Sequence, residues 1–172
     1  PNLISFKRGA AGYCHPGSWR DSRVGYAGGC YAFDVNVVWV PQALRAIVAI
    51  DSALRALGEP AIEHADLIEA GAQTWRSSGQ HFAVSLPPDE VRSRVRAKLE
   101  SLPQAEVAYW DSVLTRWGRG LDTLRFLAVA LDSAGKPIPV MTTDPAMLLL
   151  IRGAQLDAAH WAAVLTPFLL PV

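Results

Sequence analysis

A mainly α-helical chain is predicted, with its helices paired antiparallel and one small β-hairpin. Three observations predict it. Apolar residues recur at helical spacing in segments bounded by proline and glycine. The connections between those segments are short, which turns each helix back on its predecessor. One stretch breaks the helical rhythm: Asp132-Ser133-Ala134-Gly135-Lys136, between two apolar runs, reads as a hairpin turn. The 172 residues suffice for a single domain with its own core, and no linker, low-complexity tract, charge block or fixed repeat period divides them.

The first helix is expected to start at Pro41, a residue suited to a first turn, and to end at Gly58 and Pro60. Leu44, Ile47, Val48, Ile50, Leu54, Leu57 and several alanines leave Gln42, Arg45, Ser52 and Arg55 as a narrow polar strip. So wide an apolar arc predicts burial on several sides. The second helix spans about 61–76, with Ile62, Ala65, Ile68, Ala72 and Trp75 inward, and Ser77-Ser78-Gly79 stops it. Residues 81–86 read as a short extended piece. Pro87 and Pro88 open a third helix through Leu99, with Val91, Val95 and Leu99 on one face. Pro103 separates it from a fourth, which runs through Trp117 and turns Val107, Trp110, Val113, Leu114 and Trp117 inward.

The hairpin arms are 124–131 and 137–141, joined by a turn in which Gly135 supplies a positive φ. Pro137 and Pro139 push the second arm to an edge. Thr143 or Asp144 caps a fifth helix, with Pro145 at its first position, that reaches Arg152. A sixth spans about 157–165, with Trp161 and Leu165 inward; Pro167 and Pro171 are expected to end it abruptly.

Composition excludes several function classes. Sixteen basic residues balance sixteen acidic ones, so nothing points to nucleic acid or an anionic membrane as partner. The basic run Arg92, Arg94, Arg96 and Lys98 lies beside Glu90 and Glu100 and reads as a solvated helix face. No run of membrane-spanning length is free of polar residues, and no secretory leader opens the chain. The chain starts on Pro1, as a processed or truncated product does, and localisation stays open among cytoplasm, periplasm and exterior. No Walker loop, dinucleotide fingerprint or nucleophile elbow is present, and no cofactor is called for.

Residues 12–40 are the exception to the helical pattern. Glycines punctuate a run holding Tyr13, Trp19, Tyr26, Tyr31, Phe33 and Trp39 together with Arg20, Asp21, Arg23, Asp34 and His15. Rings interleaved with charges suit a polar ligand pocket, where rings stack and charges do chemistry; an ordered structural loop is the alternative. Cys14 and Cys30 bracket the run. Under oxidising conditions they can bond; in a reducing compartment they stay free, and a metal site from Cys14, His15 and Cys30 matches no zinc spacing.

Two sets of residues carry a family resemblance. Ser18-Trp19-Arg20-Asp21-Ser22, Gly28-Gly29, Tyr31-Ala32-Phe33-Asp34-Val35-Asn36 and Val40-Pro41 resemble the (α/α)6-toroid glycoside hydrolases, the six-hairpin glycosidases that include glucoamylase-like and trehalase-like enzymes. Leu124-Arg125-Phe126, Leu131-Asp132, Gly135-Lys136-Pro137, Thr143-Asp144-Pro145 and Leu148-Leu149-Leu150 resemble bacterial members of that superfamily. The resemblance that these runs carry is taken to extend over about half of the chain. The complete toroid has twice as many helices as this chain predicts. The resemblance therefore implies part of a ring, completed by the rest of a longer polypeptide or by a second chain.

The resemblance also implies a carbohydrate ligand and hydrolysis of O-glycosidic bonds between α-linked sugars by a carboxyl acid and a carboxylate base. Asp21 is the candidate acid, although the family sets its acid directly after a tryptophan and here Arg20 intervenes. Trp19 would stack on a sugar ring, Arg20 or Arg23 would bind hydroxyls or tune the acid, and His15 and Tyr31 would contact the ligand. Each has a plainer reading: Asp21 paired with Arg20 or Arg23, and His15 as a loop hydrogen-bonder. Asp34 is the second carboxylate, either a ligand contact or, with Asn36, a fixer of the loop through hydrogen bonds. The family base lies late in its chain, and no carboxylate follows Asp157 here, so the base is expected outside these residues. The other class of reading is a non-catalytic sugar-binding or scaffold domain.

Overall fold

The computed structural model describes residues 3–20, 22–117, 123–152 and 156–169. It is mainly α-helical, with six α-helices and short strands among the described residues. The helices pack as consecutive pairs: α1 (Val40–Ala56) on α2 (Ala65–Trp75), α3 (Pro88–Leu99) on α4 (Gln104–Trp117), and α5 (Ala146–Arg152) on α6 (Ala158–Leu169).

The irregular segment ends sooner than the sequence suggests. Helix begins with a π-helical stretch, Asp34–Trp39, that runs without a break into α1. Pro41 is thus inside a helix rather than at its start. The reason lies in the hydrogen-bond ladder. Proline brings no N–H, and just before it the ladder widens, with the Val40 N–H donating to the Val35 carbonyl five residues back. The wide turn brings Phe33, Asp34, Val37 and Val38 together into the core.

The rest of α1 is not enclosed as expected. Only Pro41 and Asp51 are fully buried, while Ile50 is 56% and Leu57 79% exposed. The helix meets α2 along one side, where a Cβ placed on Gly71 would lie 3.7 Å from Leu44. Asp51 ties the pair: it accepts from the Ile62 N–H at 2.8 Å and from the Arg55 Nε at 2.7 Å. The rod Asp34–Ala56 is long and apolar enough by length and composition to cross a membrane; a core helix passes the same test, and its first turn sits at the centre of this core.

Sequence periodicity found one of several strand pairings. β1 (Lys7–Arg8) pairs antiparallel with β2 (Cys14–His15). β4 (Ala83–Leu86), after a 3-10 turn over Ser78–Phe82, pairs with β5 (Leu124–Leu127). β3 (Tyr31–Ala32), β6 (Ala130–Leu131) and β7 (Pro137–Ile138) form a three-stranded sheet in the order β3-β6-β7. The expected first hairpin arm is therefore two strands. Between them Ala128 donates to Phe82 and Val129 to Val140, so the chain passes from one sheet to the other.

β6 and β7 are the predicted hairpin, and proline-bearing β7 is its edge. Gly135 has φ +82°, and the Asp132 Oδ1 accepts from the N–H groups of Ala134 and Lys136 at 2.9 Å each. Gly29 is required by close approach: a Cβ there would come within 3.0 Å of the carbonyl oxygens of Tyr26 and Leu131.

The largest core cluster joins Cys14, Cys30, Phe33, Val37, Phe82, Leu127, Leu131, Leu148 and Val164. It gathers the N-terminal segment, the central strands and α5–α6 around the π-helical turn. α6 continues through Pro167, which was expected to end it; among its described side chains Val164 is fully buried while Trp161 is 37% exposed.

Candidate functional site

The segment before the helix is a wound loop closed by a disulfide. Cys14 and Cys30 are bonded, with Cα atoms 5.1 Å apart. Both thiols are thereby consumed, which removes two of the three side chains a metal site in this loop would have used. Successive turns shape residues 22–29: the Gly25 N–H donates to the Ser22 Oγ, the Gly28 N–H to the Arg23 carbonyl and the Gly29 N–H to the Tyr26 carbonyl. Ala27 and Gly28 take positive φ to complete them. The ends are fixed by the Phe6 N–H donating to Cys30 and the Cys30 N–H donating to Leu131, both at 2.7 Å.

Two faces result. The inner face is a hydrogen-bonded cluster around Asp34, which has no solvent exposure. Its carboxylate accepts from the Ser18 hydroxyl at 2.5 Å and from the Tyr26 hydroxyl at 3.2 and 3.3 Å. Asn36, also fully buried, accepts from the Ile4 N–H at 2.8 Å and donates to the carbonyls of Ile4 and Ala32 at 3.0 and 2.9 Å. Of the two readings offered for Asp34, ligand contact is corrected by this burial: the carboxylate is sealed among its own partners and holds the loop to the helix start. Tyr31 lies in β3 at 9% exposure and is part of the core cluster, so the ligand-contact reading does not suit it either.

The outer face carries rings and cations. Trp19 is 58% exposed, and the Arg20 guanidinium sits 4.4 Å from its ring centroid. Tyr13 leans at 57° against exposed His15 with centroids 4.5 Å apart, and the Arg23 guanidinium lies 5.4 Å from the Tyr13 ring. Asp21, the candidate acid, lies outside the described residues.

Arg20 has a partner that the sequence did not suggest. It reaches Asp144 with two donors, Nη2 to Oδ1 at 2.6 Å and Nε to Oδ2 at 3.2 Å, and gives a third bond to the Thr142 hydroxyl at 2.6 Å. Asp144 is 2% exposed. The hydrogen bond that it donates to Asp144 pushes the Arg20 guanidinium above its ordinary pKa, against the opposing effect of burial. This geometry gives Arg20 a bracing role: three bonds from its Nε and Nη2 hold the loop against the start of α5. No spacing rule links the two residues, and the only sequence signal was the polar Thr142-Thr143-Asp144 run read as a helix cap. Arg23 remains exposed and makes no ion pair among the described residues.

Tyr26 gives the inner cluster a pH signature. Burial, aided by the Asp34 charge and outweighing a contact from Ser18, raises its hydroxyl above the ordinary value of 10.0. In the unfolded chain Tyr26 ionises near that value, while the folded protein keeps the proton. Its stabilising contribution is thus full below about pH 10 and is lost as pH rises through the higher folded value. Urea midpoints measured at increasing alkaline pH are expected to fall, and Tyr26→Phe is expected to flatten the decline. An equal decline in both proteins would show that Tyr26 is not its source.

Among the described residues no group of three or more His, Cys, Asp or Glu is placed to hold a metal ion. Comparison of the chain with protein-family models, curated proteins and solved structures finds no match.

Proposed function

We propose that this chain is a carbohydrate-active domain of the glycoside hydrolase kind, an arc of an (α/α) toroid whose loop 12–40 faces an α-linked glycan. The observation that carries the reading is the braced ring of Trp19. An exposed tryptophan held against a guanidinium, itself anchored by Asp144 and Thr142, is a platform for one face of a sugar ring. Three consecutive helix pairs agree with an arc of paired helices. Asp21, two residues beyond that ring in sequence, would protonate the leaving oxygen, and the base would come from outside these residues.

The expected results are specific. An α-linked oligosaccharide raises the melting temperature of the chain, and Trp19→Ala weakens that binding about tenfold or more. If the chain hydrolyses such a sugar, Asp21→Asn lowers the rate about 10²–10⁴-fold, the usual size of a general-acid contribution. A reducing-end assay measures the second effect. Hydrolysis that is the same with Asn at position 21 removes the acid, and a sugar-induced shift that survives Trp19→Ala removes the platform.

A second reading, a scaffold arc without turnover, is favoured by the exposed Ile50 of α1, Leu57 just after it and Leu67 of α2. It expects sugar binding without product, or self-association in sedimentation. A strictly monomeric chain that turns sugar over would exclude it.

A further inference from the structure

We propose that a hollow between the end of α2 and the end of α5 binds the phosphoryl group of a small phosphate monoester, held by the guanidinium groups of Arg76 and Arg152. The hollow measures about 350 Å3, and Val37, Leu127 and Leu148 contribute its apolar lining while Arg76, Ser78 and Arg152 contribute its donors. It lies apart from the loop residues of the proposed sugar platform, none of which line it.

Four observations point to an anion. The Arg152 Nε is buried and has no hydrogen-bond partner, and a buried donor left unsatisfied is a standing cost to the fold. Neither Arg76 nor Arg152, both of which line the hollow, forms an ion pair among the described residues. Ser78, 4% exposed, brings a hydroxyl to the same lining. Finally, burial first, then the neighbouring charges of Arg45 and Arg76, lowers the Arg152 guanidinium from its ordinary value.

Arginine is always charged in proteins, so the cations are gathered without relief by deprotonation. Arg152 in the last turn of α5 and Arg76 at the end of α2 each suit a helix C-terminus. That accounts for one arginine at each helix end. It does not account for their convergence, with Arg45 nearby, around an unpaired Nε. A phosphoryl group accepts several charge-assisted bonds from forked donors and would neutralise the cluster. The hollow exceeds a bare phosphate, leaving space over the apolar lining for the organic part of an ester.

The test uses the whole chain, with inorganic phosphate and glucose 6-phosphate as probes and sodium chloride at equal ionic strength as the reference. A melting-temperature shift beyond that of chloride is expected. Tighter binding of the ester identifies an organic phosphate, and equal binding identifies the free ion. Arg152→Gln and Arg76→Gln are each expected to weaken binding about tenfold or more. Without ligand, Arg152→Gln melts at the same temperature or higher, because a repelled, unpaired cation is gone; a purely structural role predicts the opposite. Trp19→Ala leaves phosphate binding unchanged, which separates this site from the sugar reading. Should the glutamine variants fail to fold, Arg152→Lys keeps the charge but loses the fork and is expected to bind more weakly. No shift beyond chloride, or a shift undiminished in the Arg152 variants, overturns the proposal.

Discussion

Arg20→Ala is expected to destabilise the protein by about 3–5 kcal/mol, because it strands a buried carboxylate. Asp144 is 2% exposed, and Arg20 is its ion-pair partner. Removing the guanidinium deletes two bonds to the carboxylate and one to Thr142, and the space left lies between a loop and a helix start. Arg20→Lys keeps the charge without the planar fork and should fall between wild type and alanine. The double replacement Arg20→Met with Asp144→Leu removes both charges and is expected to cost much less than Arg20→Ala alone. Chemical denaturation gives all of these values. An Arg20→Ala cost near that of an ordinary exposed ion pair, below about 1 kcal/mol, would show that water reaches Asp144 and that the brace is weak.

The second large effect is loss of the disulfide. Cys14 and Cys30 are 16 residues apart, and a loop near that length gains about 3 kcal/mol from closure, within a typical range of about 2–4 kcal/mol. Paired Cys14→Ser and Cys30→Ser, or reduction of the native protein, should lower stability by that amount. The bond also fastens β2 to the start of β3, and every outer-face residue from His15 to Arg23 lies between its two ends. Tryptic cleavage after Arg20 and Arg23 is therefore expected to accelerate on reduction. Equal cleavage rates would mean that the turns at Ser22–Gly29 hold the loop without the crosslink.

How much could be read from the residues depended on the range of the interaction. α3 and α4 begin and end close to the expected places, since Pro88 and Pro103 act on their immediate neighbours. The Asp132–Lys136 turn was legible for the same reason. β1, β2 and β3 were not: two-residue strands have no periodicity, and the pairing of β3 is decided by Ala130 and Leu131, far along the chain. Pro41 misled because proline suits both a first helical turn and the place just after a widened one. The apolar surface of α1 was legible, but what lies against it was not, since composition does not name a neighbour.

The site divides in the same way. An exposed, cation-stacked Trp19 agrees with a ring-bearing loop, and Asp34 with Asn36 took the loop-fixing alternative. The bond from Arg20 to Asp144 and the gathering of Arg76 with Arg152 arise only when distant elements meet, so no local motif could announce them.

The lacing of the two ends carries a consequence for synthesis. Arg20 leaves the ribosome 124 residues ahead of Asp144, and Tyr31 waits for Leu131 before its strand exists. The segment around Arg20 thus waits for 124 further residues before that brace can form, and until then its apolar rings are open to premature association. A fragment cut anywhere between these partners would inherit that unfinished condition permanently, so excising either end should yield an insoluble piece in place of a smaller working unit.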